Sequence, residues 1–190
     1  MLDLIRKRLK ESADIKMDLL QCGDLLQTLS RMIDESVRCF REHHRMYFCG
    51  NGGSAADAQH LAAELAGKFY RDRKPLPAVA LHTNSSFLTA VANDYSYDEV
   101  FSRATESLGC RGDILMGISA SGNSINVLKA LAKAKEIGMV TFGLTGRGGK
   151  AMLPYCDLLI KVPSDDIPRI QENHITIGHI LCEGIECQLF

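Results

Sequence analysis

Ile114-Leu115-Met116-Gly117-Ile118-Ser119-Ala120-Ser121-Gly122-Asn123-Ser124 leads into NSINVLKALAKA over residues 123–134, so an apolar strand-sized run meets a helix through a loop of small residues. The run lacks any polar alternation of its own, which is the pattern of a strand buried on both faces. Outward from this stretch the same unit recurs. Apolar runs lie at Met46 to Cys49, Ala78 to Leu81, Val140 to Leu144 and Leu158 to Val162, and helical patterns occupy 54–68, 84–93, 98–108, 123–137 and 168–188. Strands alternating with helices predict a doubly wound α/β domain with a parallel sheet. Ligands of such sheets sit beyond the carboxyl ends of the strands, in the loops that enter the next helices.

The chain ahead of the first strand is helical in pattern. Apolar residues recur at Leu2, Ile5, Leu9, Leu19, Leu20, Leu25, Leu26, Leu29, Ile33, Val37 and Phe40, with a break near Gly23. The first of these two helices precedes every strand it could fold back on, so its apolar stripe is expected to pack on another subunit. We read one domain, with 1–44 as a helical oligomerisation segment and 45–190 as the α/β core; RDRKPLP at 71–77 is a loop.

The 190 residues are 46% hydrophobic and 24% charged, a balance that supports one core without disulfide or metal staples. The 22 Lys+Arg offset 23 Asp+Glu, leaving a net charge of -1 and no field that would draw nucleic acid or a membrane surface. Small molecules and other subunits are the expected partners. Seven scattered cysteines without CxxC spacing read as reduced thiols, and no signal peptide or ~20-residue apolar span is present, so a cytoplasmic location is expected.

Two loops carry chemistry. Cys49-Gly50-Asn51-Gly52-Gly53-Ser54 follows the first strand and opens a helix, where glycines and unpaired N–H groups suit an anion. Ser119-Ala120-Ser121-Gly122-Asn123-Ser124 holds three hydroxyls before the next helix, more than an N-cap requires. Neither loop contains Lys or Arg, which favours a monophosphate held by neutral donors over nucleoside triphosphate chemistry. His60 and Glu64 follow the glycine loop four residues apart, on one helix face, a spacing that serves two ligands of one metal or a base and its partner. On the last helix Gln171 and His179 are eight residues apart, about 12 Å along the axis, so one ion takes both only from different subunits or from a distorted helix. His174 and Glu183 read as ordinary polar positions of an amphipathic helix, and Asn93-Asp94 as turn formers.

Taken together, GNGGSAADAQHLAAEL, AVANDYSYDEVFSR, GDILMGISASGNSINVLKA and PRIQENHITIGHILCEGIE resemble the phosphoheptose isomerases, sugar-isomerase-domain enzymes that convert sedoheptulose 7-phosphate to D-glycero-D-manno-heptose 7-phosphate. The resemblance covers nearly the whole chain. It implies a five-stranded parallel sheet, a homotetramer with active sites at subunit interfaces, and the first step of ADP-heptose synthesis for lipopolysaccharide or related surface carbohydrate. It further implies substrate contacts at Asn51, Gly52, Gly53, Ser54, Glu64, Asn93, Asp94, Ser119, Ala120, Ser121, Ser124 and Gln171. A zinc site at His60, Glu64, Gln171 and His179, with Glu64 and His179 as acid and base, completes the implied set. Ala120 departs from the family's usual Thr, removing a hydroxyl contact worth at most about 1.5–3 kcal/mol while keeping the backbone N–H.

Ketose–aldose isomerisation proceeds through an enediol, so it needs a base and an electrophile at the developing oxyanion. Glu64 is expected to move the carbon-bound proton and His179 the hydroxyl protons. The rival reading is a non-catalytic binding protein of the same fold, similar to the DnaA initiator-associating protein. Such a protein needs no acid–base pair, whereas Glu64 and His179 are both present. A sugar-phosphate-sensing regulatory domain is disfavoured by the balanced charge.

Overall fold

A computed structural model describes residues 1–190. Two helices, α1 (Leu2–Gln21) and α2 (Gly23–Arg41), precede the sheet. The core then alternates β1 (Met46–Gly50), α3 (Gly53–Ala66), β2 (Ala78–Ala80), α4 (Ser85–Asp94), α5 (Val100–Leu108), β3 (Ile114–Ser119), α6 (Ile125–Ile137), β4 (Val140–Thr145), β5 (Leu158–Lys161) and α7 (Ile167–Leu189). Short 3₁₀ turns lie at Tyr97–Glu99 and Lys150–Tyr155. No helix is long and apolar enough to cross a membrane.

All five strands are parallel, in the order β2-β1-β3-β4-β5. The order reverses between β1 and β3, and at that switch point the crevice beyond the strand ends opens. Register pairs Gly50 with Ile118 and Ser119 with Thr145, so the glycine loop after β1 and the serine loop after β3 leave the sheet side by side.

Alternation along the strands explains why the runs look uniformly apolar. Met46, Phe48, Met116 and Ile118 join the core under α2, α3 and α7, while Tyr47, Cys49 and Leu115 join the opposite core under α5 and α6. Burying one such side chain contributes roughly 1.5–3 kcal/mol. Helix α7 starts with Pro168 in its first turn, where a missing N–H costs nothing, and runs without interruption to Leu189. Its buried stripe includes Ile170, Ile177, Leu181 and Ile185, and it packs along α3 with Gly178 against Leu61. A Cβ at Gly178 would lie 2.5 Å from Leu61 Cδ2, so glycine sets how closely the two helices approach.

His174 corrects the sequence reading. It shares this stripe and is 0% exposed, not a solvent-facing polar position, whereas Glu183 is exposed as expected. Helix α1 is the opposite case, since only Leu19 of its twenty residues is buried and Leu2, Leu4, Ile5, Leu9, Met17 and Leu20 are exposed.

Candidate active site

The glycine loop turns at Gly52, whose φ of 55° and ψ of -121° exclude a side chain. Asn51 O accepts from Ser54 N and Gly52 O from Ala55 N, which fixes the start of α3. Across the switch point, Ser119 Oγ lies 2.9 Å from Ser124 Oγ and accepts from Gly122 N at 3.1 Å. Ser121 Oγ accepts from Asn123 N at 3.2 Å, and the backbone N–H groups of Ser121 and Ser124 bond nothing within the chain. Those free donors lie just ahead of α6, whose N-terminus adds a positive dipole end, an arrangement that suits an anion without any cation in the loop. Ala120 contributes its carbonyl, which accepts from Gly146 N at 3.0 Å and ties the loop to the end of β4.

The two loops are joined through Asn51, whose partners Asn126 and Tyr97 the sequence reading passed over. Asn51 and Asn126 exchange amide hydrogen bonds, Nδ2 to Oδ1 at 2.8 Å in one direction and 2.9 Å in the other. Tyr97 Oη donates to Asn51 Oδ1 at 3.0 Å, and Val127 N donates to Asn126 Oδ1 at 2.9 Å. Asn126 is 3% exposed, at the first turn of α6. Its available signal was a polar residue inside the apolar face of NSINVLKALAKA. Asn93 and Asp94 end α4, exposed, with Asn93 Nδ2 donating to Asp94 Oδ1 at 2.9 Å, three residues ahead of Tyr97.

Further along α3, His60 and Glu64 meet His179 of α7. The two Nε2 atoms of His60 and His179 lie 3.0 Å apart, and His60 Nε2 is 3.1 Å from Glu64 Oε1. The three ligand atoms are all within 4.8 Å of one another. A tetrahedral zinc with bonds of about 2.0–2.1 Å separates its ligands by roughly 3.3 Å, so this donor set of two imidazoles and a carboxylate fits one cation. No donor in the chain bonds the second oxygen of Glu64. Phe69 flanks the cluster, its ring centroid 5.7 Å from that of His179.

Gln171 is not in this group. Its amide sits against Gly53, where a Cβ would lie 2.6 Å from Nε2, seven residues before His60 on α3 and therefore about 10 Å away along the axis. No hydrogen bond links it to His60, Glu64 or His179. Asp57 lies between the two levels on α3. Burial pushes its carboxyl up to about 6, opposed by the charge of His60, and its Oδ2 has no partner.

The five-stranded parallel sheet carries two loops of small residues at its switch point and a His60–Glu64–His179 cluster on the adjoining helices, and residues 21–146 match the sugar isomerase family model described as SIS domain. A phosphoheptose isomerase from Clostridium acetobutylicum is 46% identical over 190 residues, covering 100% of this chain and 97% of that protein. One from Helicobacter pylori strain P12 is 54% identical over 165 residues, 85% of this chain and 86% of that protein. The solved phosphoheptose isomerase of Neisseria gonorrhoeae superposes with a TM-score of 0.92 at 40% identity, covering 98% of each chain. The chain belongs to the phosphoheptose isomerase family.

Proposed function

We propose that this enzyme interconverts sedoheptulose 7-phosphate and D-glycero-D-manno-heptose 7-phosphate, with the phosphate in the serine loop and the carbonyl end at the His60–Glu64–His179 cluster. The observation that carries the reading is that cluster, in which an imidazole and a carboxylate of α3 and an imidazole of α7 converge within 4.8 Å. Glu64 removes the proton from C1 of the ketose, leaving an enediol across C1 and C2, and returns it to C2. His179 carries the hydroxyl proton from O1 to O2. Zinc bound by His60, Glu64 and His179, with Gln171 of a second copy, would act as a Lewis acid on the carbonyl oxygen. Because Glu64 Oε1 faces His60, the oxygen without a protein partner is the one available to the substrate proton. Asn51, Gly52, Gly53, Ser54, Asn93, Asp94, Ser119, Ala120, Ser121 and Ser124 bind the substrate along the crevice.

A homotetramer with shared sites accounts for two features together. Gln171 lies against Gly53, away from the cluster of its own chain, and α1 exposes most of its apolar side chains. In the cytoplasm the seven unpaired cysteines stay reduced, and the product enters ADP-heptose synthesis for surface carbohydrate. The test is an isomerisation assay on chelated protein with and without added Zn²⁺, alongside Glu64→Gln. Turnover that requires zinc, and a Glu64→Gln variant that still binds substrate yet turns over about 10²–10⁴-fold more slowly, is the expected result. Retained activity in Glu64→Gln would remove Glu64 as the base. No turnover by a folded wild type would leave a sugar-phosphate-binding protein without catalysis.

A further inference from the structure

Beyond the cluster, α3 ends in a loop that contains a cation and meets α7 at a buried anion. Arg73 and Glu186 pair at 2.9 Å with both side chains 2% exposed. The Glu186 carboxylate accepts from the backbone N–H of Phe69, Tyr70 and Arg71 at 3.3, 2.9 and 2.9 Å, in addition to Arg73 Nε. Arg73 Nη2 donates to Glu64 O at 2.9 Å, and Nη1 donates to Leu65 O at 2.7 Å and Gly67 O at 3.3 Å. Glu64 O and Leu65 O are among the carbonyls that the end of α3 leaves without intrahelical partners, so the guanidinium, together with Leu76 N on Leu65 O, caps the helix at the residue that carries the reactive carboxylate. Glu186 in turn lies seven residues after His179, two turns along α7 and on nearly the same face.

We propose that Arg73 and Glu186 are positioning residues that set the spacing of α3 against α7 and thereby hold His60, Glu64 and His179 in bonding range of one metal. The pair touches none of the three side chains. It acts through the Glu64 carbonyl on one side and, on the other, through the Phe69 backbone, whose ring flanks His179. The four N–H donors offset the desolvation of this carboxylate, but exchange of a buried ion pair for apolar residues is often neutral or stabilising, so net stability alone does not account for a charged pair at this position. Burial raises the Glu186 carboxyl, but the N–H donors and Arg73 outweigh it and hold it ionised, below the ordinary carboxylate range.

This inference rests on the cluster being the reactive centre. The experiment compares wild type with Arg73→Lys, Glu186→Gln and the double variant Arg73→Met/Glu186→Met, which leaves no charge buried. Zinc affinity is measured by calorimetry on chelated protein, turnover with sedoheptulose 7-phosphate, and folding by circular dichroism and thermal midpoint. Supporting groups around metal ligands typically alter metal affinity or activity by about 10–100-fold, and that loss in zinc affinity and kcat is expected, with KM within about threefold because the phosphate loops are untouched. The double variant is expected to fold and to remain impaired. A folded double variant, or a folded Arg73→Lys, with wild-type zinc affinity and kcat overturns the inference and leaves the proposed function standing. A wild type that neither binds zinc nor turns over the sugar phosphate removes the proposed function and the inference with it.

Discussion

At the scale of single residues, Asn126 and His174 show how much depends on polar side chains that the fold buries. Truncating Asn126 to Ala removes both bonds to Asn51 and leaves that amide held by Tyr97 Oη alone. Two neutral hydrogen bonds at about 1 kcal/mol each predict a KM for substrate raised by about tenfold or more with kcat little changed, and Tyr97→Phe a smaller rise in the same direction. Steady-state kinetics on the two variants check this. His174 is a different case. Burial depresses its imidazole from 6.5 to about 4, while Thr145 lies close enough to oppose the shift slightly. Between those values the unfolded chain binds the extra proton, so this contribution to stability is intact above pH 6.5 and is lost as pH falls toward 4. Asp57, raised to about 6, works in the opposite sense, and comparison with His174→Gln cancels its share. The thermal midpoint of wild type is expected to fall relative to that of His174→Gln by at least about 2 °C between pH 7 and pH 4. A constant difference would show that His174 does not titrate with folding.

Elements were the most legible level. Each apolar run became a strand because a parallel sheet covered on both faces needs unbroken apolar sequence, and the runs at 46–49, 114–118 and 140–144 match β1, β3 and β4 to within two residues. The glycine and serine loops were legible because turns and helix starts leave their own residue types in sequence. His60 and Glu64 could be paired from their spacing, but His179 could be joined to them only by resemblance, since packing between α3 and α7 is not encoded in either helix alone. Arg73 was hidden among charged neighbours in RDRKPLP, which reads as solvated loop. His174 did leave a signal, since it falls on the helical phase of Ile170, Ile177, Leu181 and Ile185, whereas Glu186 lies roughly 150° from that stripe, on the face of His179, and did not.

For the whole molecule, α1 and its junction with α2 bear on assembly. Leu20 and Leu26 are 63% and 44% exposed, beside Ile180 of α7, on an apolar groove formed by α1, α2 and α7. If the proposed tetramer assembles through this groove, Leu20→Glu combined with Leu26→Glu dissociates it while the sheet stays folded, and sedimentation velocity with circular dichroism reads both. If the sites are shared between copies, the dissociated form loses turnover; a folded, fully active monomer would refute sharing. The parallel seating of α3 on α7, closed by Gly178 against Leu61, also bears on how such proteins diverge. One residue inserted between Gly53 and His60, or between Gln171 and His179, rotates everything beyond it by about 100° and carries a ligand away from its partners. Side chains along both helices can therefore be exchanged without disturbing the cluster, whereas a change of chain length is tolerated only in segments that do not keep this count.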